Sequence, residues 1–178
     1  MKKLNFVFAM LLGSMLLLGL NACDKDDDHN NYQLGNQDFV TTASSSNMFE
    51  IAAGQLAINQ GINAGVKVFG QHMVNDHGQT AIEMQTLAAN KNWTIPTAML
   101  PEHQEMYDAL KVLSGQGFDK QFAAMMVTSH QKTVALFEQA AGKNGVPDGD
   151  LRAFASIKLP TLKEHLQDAQ ELQTNVND

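Results

Sequence analysis

The feature that most constrains the fold is a helical apolar pattern that runs from Gln37 nearly to the C-terminus. In the segment 63–91, for example, apolar residues recur at steps of three and four or their sums. This stripe consists of Val66, Phe69, Met73, Met84 and Leu87. The β-branched residues are scattered among Ala, Leu, Met and Gln, which favour helices, and no segment has the pattern of a strand. The sequence therefore predicts an all-α protein.

Glycine and proline residues divide this pattern into helices. We predict four long helices over about 38–59, 63–91, 118–141 and 148–172, and a short helix from Pro101 to about Leu113. Gly61 and Gly142 end two of them, and Pro147 precedes the last. Pro160 lies inside the last helix, where it should introduce a kink.

The lengths of the connections predict how the helices are arranged. Short loops join the first long helix to the second and the third to the fourth, so each pair should be an antiparallel hairpin. Roughly 26 residues, including the short helix, connect the two hairpins. One long crossover is the connectivity of ferritin-like four-helix bundles. We place this bundle at residues 37–174, followed by a C-terminal tail at 175–178.

The N-terminus has the pattern of a secretory signal. Lys2 and Lys3 precede an apolar stretch of about 15 residues, shorter than the roughly 20 that span a bilayer. The run Leu20-Asn21-Ala22-Cys23 resembles the bacterial lipoprotein signal. That resemblance implies a signal peptide at residues 1–22 and a lipid on Cys23; the alternative is an ordinary signal peptide.

Residues 23–36 are polar and rich in aspartate, which is typical of a flexible tether. The opening Cys-Asp-Lys-Asp-Asp-Asp resembles the acidic signal that directs some bacterial lipoproteins to the outer surface. An aspartate directly after the cysteine instead resembles an inner-membrane retention signal. We expect an outer-membrane lipoprotein that is periplasmic or surface-exposed.

Charge and cysteine content exclude several functions. Beyond residue 22 the chain has 10 basic and 19 acidic residues. A net charge of −9 argues against nucleic acid as a partner and against electrostatic docking on anionic lipid. The membrane would then be bound through the lipid alone. Because Cys23 is the only cysteine, its lipidation would also exclude disulfides and thiol catalysis.

Each long helix carries one polar residue on its apolar face: Glu50, His77, His130 and His165. Their positions predict that the four side chains meet near the middle of the bundle. A buried carboxylate or imidazole is costly without a partner, and one transition-metal ion would satisfy all four groups. Asp76, beside His77, is a weaker candidate ligand.

Two interpretations of these four residues remain open. A di-iron site is disfavoured because it needs Glu-x-x-His pairs, whereas Val74 and Leu162 stand three residues before His77 and His165. A mononuclear site for zinc, copper, nickel or iron is one interpretation. The other is a metal-free Glu–His network in a non-enzymatic binding or stress-related module. We expect the remaining histidines, His29, His72 and His103, to lie at the surface or in the tether.

The same residues carry a family resemblance. The motifs are Glu50-x₅-Leu56-Ala57, Val66-Lys67-x-Phe69, Met73-Val74-x-Asp76-His77, Phe118-Asp119, His130-x₆-Phe137 and Leu159-Pro160-x-Leu162-x-x-His165-Leu166. Together they resemble the exported bacterial family called domain of unknown function 4142, over residues 37–172. The resemblance implies a ferritin-like fold in the cell envelope and brings no established activity. No Ser-His-Asp order or phosphate loop appears, so an enzyme is the less favoured interpretation.

Overall fold

The structure is a computed structural model that describes residues 31–178 and consists of helices joined by loops. The helices are α1 (Asn36–Gln60), α2 (Ala64–Lys91), α3 (Pro101–Lys111), α4 (Gly115–Ala141) and α5 (Gly149–Asn177). No strand occurs in this range, which confirms the predicted all-α class. None of these helices is both long and apolar enough to cross a membrane. Cys23, His29 and the predicted signal peptide lie outside the described residues.

The helix boundaries differ from the predicted ones at two places. Helix α4 begins at Gly115, three residues before the predicted start, with Ser114 as its N-cap, and Gly115 itself has a positive φ of 59°. Helix α5 continues to Asn177, through most of the expected tail at 175–178. Neither glycine nor proline follows Pro160 to end that helix. The helix runs through Pro160 without a break.

The five helices form the predicted four-helix bundle with a crossover. The most extensive packing is within the pairs α1–α2 and α4–α5, which are joined by the short loops 61–63 and 142–148. The side chains of Asn63 and Asp148 cap the N-termini of α2 and α5 by accepting hydrogen bonds from backbone N–H groups. The crossover, residues 92–114, carries α3, which packs against α1 and α4.

In the first hairpin, the backbones of α1 and α2 approach each other closely at two glycines, Gly54 and Gly70. A Cβ atom on Gly54 would lie 2.6 Å from the backbone oxygen of Gly70, and one on Gly70 would lie 2.7 Å from the backbone oxygen of Gly54. Only hydrogen at both positions lets the α1 and α2 backbones come this near. The spacing of α1 and α2 is therefore set by backbone contact at this point.

The core consists of two apolar clusters with a polar layer between them. One cluster includes Phe49, Phe69 and Phe122, and the other includes Phe39, Phe137 and Phe154. All four long helices pass through both clusters. The buried polar residues between the clusters form the polar layer: Ser44, Ser45, Ser46, Asn47, Glu50, His77, Ser129, His130, Thr133 and His165. Such a layer costs stability unless its members satisfy one another or hold a ligand.

Candidate metal centre

Three imidazole rings from three different helices meet in the polar layer. His77 comes from α2, His130 from α4 and His165 from α5, and we call them the histidine triad. Their ring centroids lie 5.6 Å (His77–His130), 5.4 Å (His77–His165) and 5.5 Å (His130–His165) apart, so they form a nearly equilateral triangle. One ring nitrogen from each lies within 4.8 Å of the other two. All three residues are buried.

The ring of His77 is oriented by Asn47 on α1. The Asn47 side-chain NH₂ donates a hydrogen bond to the backbone carbonyl of His77 at 2.8 Å. This contact turns Oδ1 of Asn47 toward the ring, where it lies 2.9 Å from Nδ1. Because an amide oxygen only accepts, Nδ1 of His77 carries the proton and Nε2 is left with a lone pair.

The other two rings are fixed in the same way by different acceptors. Nδ1 of His130 donates to the backbone carbonyl of Met126, one turn earlier on α4, at 2.9 Å. Nε2 of His165 lies 2.9 Å from Oδ2 of Asp76 on α2. These acceptors leave the lone pairs on Nε2 of His130 and on Nδ1 of His165.

The nitrogens that carry these lone pairs have no partner among the described residues. Nε2 of His77, Nε2 of His130 and Nδ1 of His165 are each buried and make no hydrogen bond. Three buried lone pairs without partners are costly, because each nitrogen has lost its contact with water and gained no hydrogen bond. This arrangement matches the donor set of a metal-binding site, because a histidine ligand usually donates its second ring N–H to a carboxylate or carbonyl.

Glu50 lies against the triad at full burial. Ser129 on α4 donates a hydrogen bond to its Oε1 at 2.7 Å. Its Oε2 lies 3.1 Å from Nδ1 of His77 and makes no hydrogen bond of its own, while Oε1 lies 3.7 Å from Nδ1 of His130. Burial favours the neutral acid, but the attraction of the three histidines and the Ser129 hydrogen bond outweigh it, so the pKa of Glu50 is lowered. This shift favours the ionised form of Glu50 in the folded protein.

Burial also sets the charge of two triad rings. It lowers the pKa of His77 to about 4, against the opposing attraction of Glu50, and it lowers the pKa of His165 despite the hydrogen bond to Asp76. Both rings are therefore neutral at neutral pH, which is the form that binds metals.

The structure brings together the four residues singled out from the sequence. Glu50 faces the protonated sides of His77 and His130 and not the unpartnered nitrogens. Asp76 contacts the ring of His165 across the bundle, although it is the chain neighbour of His77. Whether any of these residues binds a metal stays a prediction.

Three other residues of the polar layer and its surroundings, His103, Asn47 and Ser129, were not predicted from the sequence to take part. His103 was predicted at the surface and lies buried instead, because α3 folds it onto α1, where its Nδ1 is 2.7 Å from Oγ of Ser45. Asn47 and Ser129 act through hydrogen bonds to His77 and Glu50. The buried run from Ser44 to Asn47, polar and placed just before Glu50, was the available signal for Asn47.

Comparison with known proteins gives one family and one related structure. The family model described as "Domain of unknown function (DUF4142)" matches residues 23–172. A solved structure titled "CopM in the Cu(II)-bound form" has a TM-score of 0.66 and 17% sequence identity, covering 80% of this chain and 98% of that chain. This likeness confirms the helical-bundle fold. No curated protein matches the chain.

Proposed function

The chain belongs to the DUF4142 family, whose description names no activity, and we propose from its site that it binds one divalent transition-metal ion. His77, His130 and His165 would be the ligands. The observation that carries the proposal is the set of three buried ring nitrogens without partners, one from each histidine. In each ring an acceptor holds the proton on the opposite nitrogen. A histidine that binds a metal through one ring nitrogen usually donates a hydrogen bond from the other nitrogen in this way.

The spacing of the triad supports a single ion. Three nitrogens evenly placed around an ion at metal–nitrogen bonds of about 2.0–2.1 Å lie within about 3.6 Å of one another. Ring nitrogens of the triad already lie within 4.8 Å. Three nitrogens at most 4.8 Å apart lie at most about 2.8 Å from their common centre, so a shift of less than about 0.8 Å in each ring would place them around one ion.

Copper(II) is the ion we propose. Imidazole ligands suit zinc, copper, nickel and iron, and affinity along the divalent series is highest for copper(II). The related structure is titled as a Cu(II)-bound form, and it shares this fold over nearly its whole length. Zinc is the second candidate, because three histidines and one open position are also a common zinc site.

Two carboxylates would balance the charge of the ion. Glu50 is buried within the polar layer, and Asp76 holds the ring of His165. Two carboxylates close to the triad would offset a charge of +2, which lowers the cost of burying the ion. In this arrangement Glu50 contributes its charge from behind the rings; direct ligation by Glu50, as inferred from the sequence, is the alternative.

The metal-free Glu–His network remains the competing function, that of a non-enzymatic binding or stress-related module. In its support, Asn47 accepts a hydrogen bond from Nδ1 of His77, and Ser129 donates one to Oε1 of Glu50. It leaves four buried polar atoms without partners: Oε2 of Glu50, Nε2 of His77, Nε2 of His130 and Nδ1 of His165. Metal binding accounts for the three nitrogens, and for this reason we favour it.

Titration of the chelator-treated full chain with copper(II) tests the proposal. We expect one equivalent to bind, with nitrogen hyperfine structure from three imidazoles in the electron paramagnetic resonance spectrum. His77→Ala, His130→Ala and His165→Ala should each weaken binding by more than about 100-fold, the upper end of effects seen for residues behind the ligands. His72→Ala, at an exposed position of the same helix as His77, is the matched control. Weak binding of copper and zinc by the unmutated chain, or equal losses in the control, would support the metal-free network.

We further propose that the protein works in the bacterial envelope, anchored through a lipid on Cys23. The lipoprotein-like run at Leu20–Cys23 and the family resemblance support this. In bacterial cells, Cys23→Ala should move the protein from the membrane fraction to the soluble fraction. Unchanged membrane association of this variant would contradict lipid anchoring.

A further inference from the structure

A cavity of about 270 Å³ adjoins the histidine triad. Glu50, His77 and His165 form part of its wall, so the cavity reaches the proposed metal centre from one side. The exposed residues Gln79 and Thr161 belong to its rim, which therefore meets solvent. It lies where α2 and α5 face each other with little direct packing. The cavity is thus open to solvent at its rim and borders two of the three triad histidines, His77 and His165.

The wall away from the triad is mainly apolar. Ala43, Met84, Phe137 and Leu162 are buried and contribute to it. A volume of this size is near the lower end of small-molecule sites, which are mostly apolar with a few placed polar groups. The cavity is therefore suited to the body of a small apolar molecule.

One polar atom in this part of the wall is without a partner. Ser44 lines the cavity, and its hydroxyl oxygen is buried and makes no hydrogen bond. Two neighbouring polar residues of the wall already have hydrogen-bond partners: Asn47 bonds to His77, and Thr133 bonds to Ser46. Ser44 and Glu50 are six residues apart on α1, which corresponds to roughly 9 Å along the helix axis. The cavity wall thus includes two residues with unsatisfied polar atoms, Ser44 and Glu50, separated by nearly two helical turns.

We propose that this cavity binds an elongated, mainly apolar small molecule with a nitrogen donor at one end and a hydrogen-bonding group at the other. The donor takes a coordination position on the ion, the apolar body lies against Phe137 and Leu162, and the far end bonds to Ser44. A nitrogen donor fits because nitrogen ligands of the imidazole type suit the same transition metals as the triad. This inference rests on the proposed function, since the ion supplies the attachment for the donor.

Azole probes test the proposal on the copper(II)-loaded full chain. Imidazole carries the donor alone, 4-phenylimidazole adds an apolar ring, and 4-(4-hydroxyphenyl)imidazole adds a distal hydroxyl. Dissociation constants come from the change in the visible absorption of copper(II). We expect 4-phenylimidazole to bind at least about tenfold more tightly than imidazole, which corresponds to about 1.4 kcal/mol. The hydroxyphenyl compound should bind more tightly still, and Ser44→Ala should remove that last gain.

A cavity-filling variant provides the control for location. Ala81 is a half-buried wall residue on α2, and Ala81→Leu should abolish the preference for 4-phenylimidazole while copper and imidazole still bind. Ala89→Leu is the same change at an exposed position of α2 outside the wall and should leave the preference intact. A series of 4-alkylimidazoles gives a readout without any variant: affinity should rise with chain length and then stop rising once the cavity is filled.

The outcomes separate the two proposals. If copper binds but imidazole and 4-phenylimidazole have equal affinity, the cavity proposal is wrong and metal binding stands. If the Ala81→Leu variant still binds 4-phenylimidazole more tightly than imidazole, the phenyl ring does not bind in this cavity, and the cavity proposal is again wrong. If no copper binds, both proposals fail together.

Discussion

The carboxylate of Asp76 lies 2.9 Å from Nε2 of His165, and this contact joins α2 of the first hairpin to α5 of the second. The Asp76 side chain is half exposed, whereas that of His165 is 7% exposed. A residue near the surface therefore selects which nitrogen of a buried ring carries the proton. Since this acceptor lies on the Nε2 side, the lone pair of His165 is on Nδ1, one of the three unpartnered ring nitrogens.

Loss of this acceptor should weaken metal binding without removing a ligand. We expect Asp76→Ala to lower copper(II) affinity by about 10- to 100-fold, because the ring of His165 loses its orientation and its partner charge. Asp76→Asn should have a smaller effect, since its amide oxygen still accepts the hydrogen bond. Competition titration against a chelator measures both changes. Glu164→Ala removes the same charge from an exposed position next to His165 and should leave the affinity nearly unchanged; a matching loss in that control would argue that net charge alone is responsible.

The metal-free protein should lose stability as the pH falls from about 6.5 to 4. The pKa of His77 is about 4 in the folded state, against 6.5 for an ordinary histidine, so the unfolded chain binds a proton first. Proton uptake by the unfolded state lowers the free energy of unfolding, by up to about 3 kcal/mol for this group. The lowered pKa of Glu50 acts in the same direction at still lower pH. Urea denaturation at a series of pH values measures the effect, and His77→Gln should flatten the profile; a constant stability down to pH 4.5 would contradict it.

Ser129 should matter for stability through its hydrogen bond to Glu50. Ser129→Ala removes the hydroxyl that donates to Oε1 at 2.7 Å and leaves a buried carboxylate oxygen unsatisfied. We expect the free energy of unfolding to fall by about 1–3 kcal/mol. The neighbouring Thr128 is exposed and bonds only to a carbonyl one turn away, so Thr128→Ala should change it by less than about 0.5 kcal/mol. Equal effects of the two substitutions in urea denaturation would refute the role of the Ser129 hydroxyl.

Two glycines of the first hairpin should respond oppositely to alanine. Gly54→Ala places a Cβ atom 2.6 Å from the backbone oxygen of Gly70, so α1 and α2 must separate, at a cost of about 1–3 kcal/mol. Gly78 lies in α2 with no atom within 4 Å of a built Cβ. Gly78→Ala should therefore stabilise the protein by about 0.5–1 kcal/mol through helix propensity alone. Thermal melts of both variants show whether each substitution raises or lowers the melting temperature. A lower melting temperature for Gly78→Ala would contradict the open space around Gly78.

Most of the fold could be predicted from the sequence because helical periodicity and helix-ending residues are local signals. The five helices, the two hairpins and the crossover all follow from the apolar stripes and from residues such as Gly61 and Pro147. The start of α4 at Gly115 could not be predicted, because a glycine more commonly follows the end of a helix than opens one. In the structure the same glycine begins α4 directly after Ser114.

The residues of the candidate site could be predicted from the sequence, but their geometry could not. One polar residue on each apolar stripe indicated Glu50 and the histidine triad, because the helical repeat decides which residues face inward. The partner of each ring depends instead on contacts between helices far apart in sequence. For that reason the pairing of Asp76 with His165, and the turn of α3 that buries His103 against Ser45, appear only in the folded chain.

The placement of the triad also affects how the protein unfolds. His77 belongs to the first hairpin, and His130 and His165 belong to the second, so an ion held by all three is a reversible cross-link across the crossover. Such a link restricts the unfolded chain, as a disulfide does, and its entropic effect grows with the length of chain that it encloses. In a chain whose only cysteine is Cys23, near the N-terminus, metal occupancy would be the means of fastening one half of the bundle to the other.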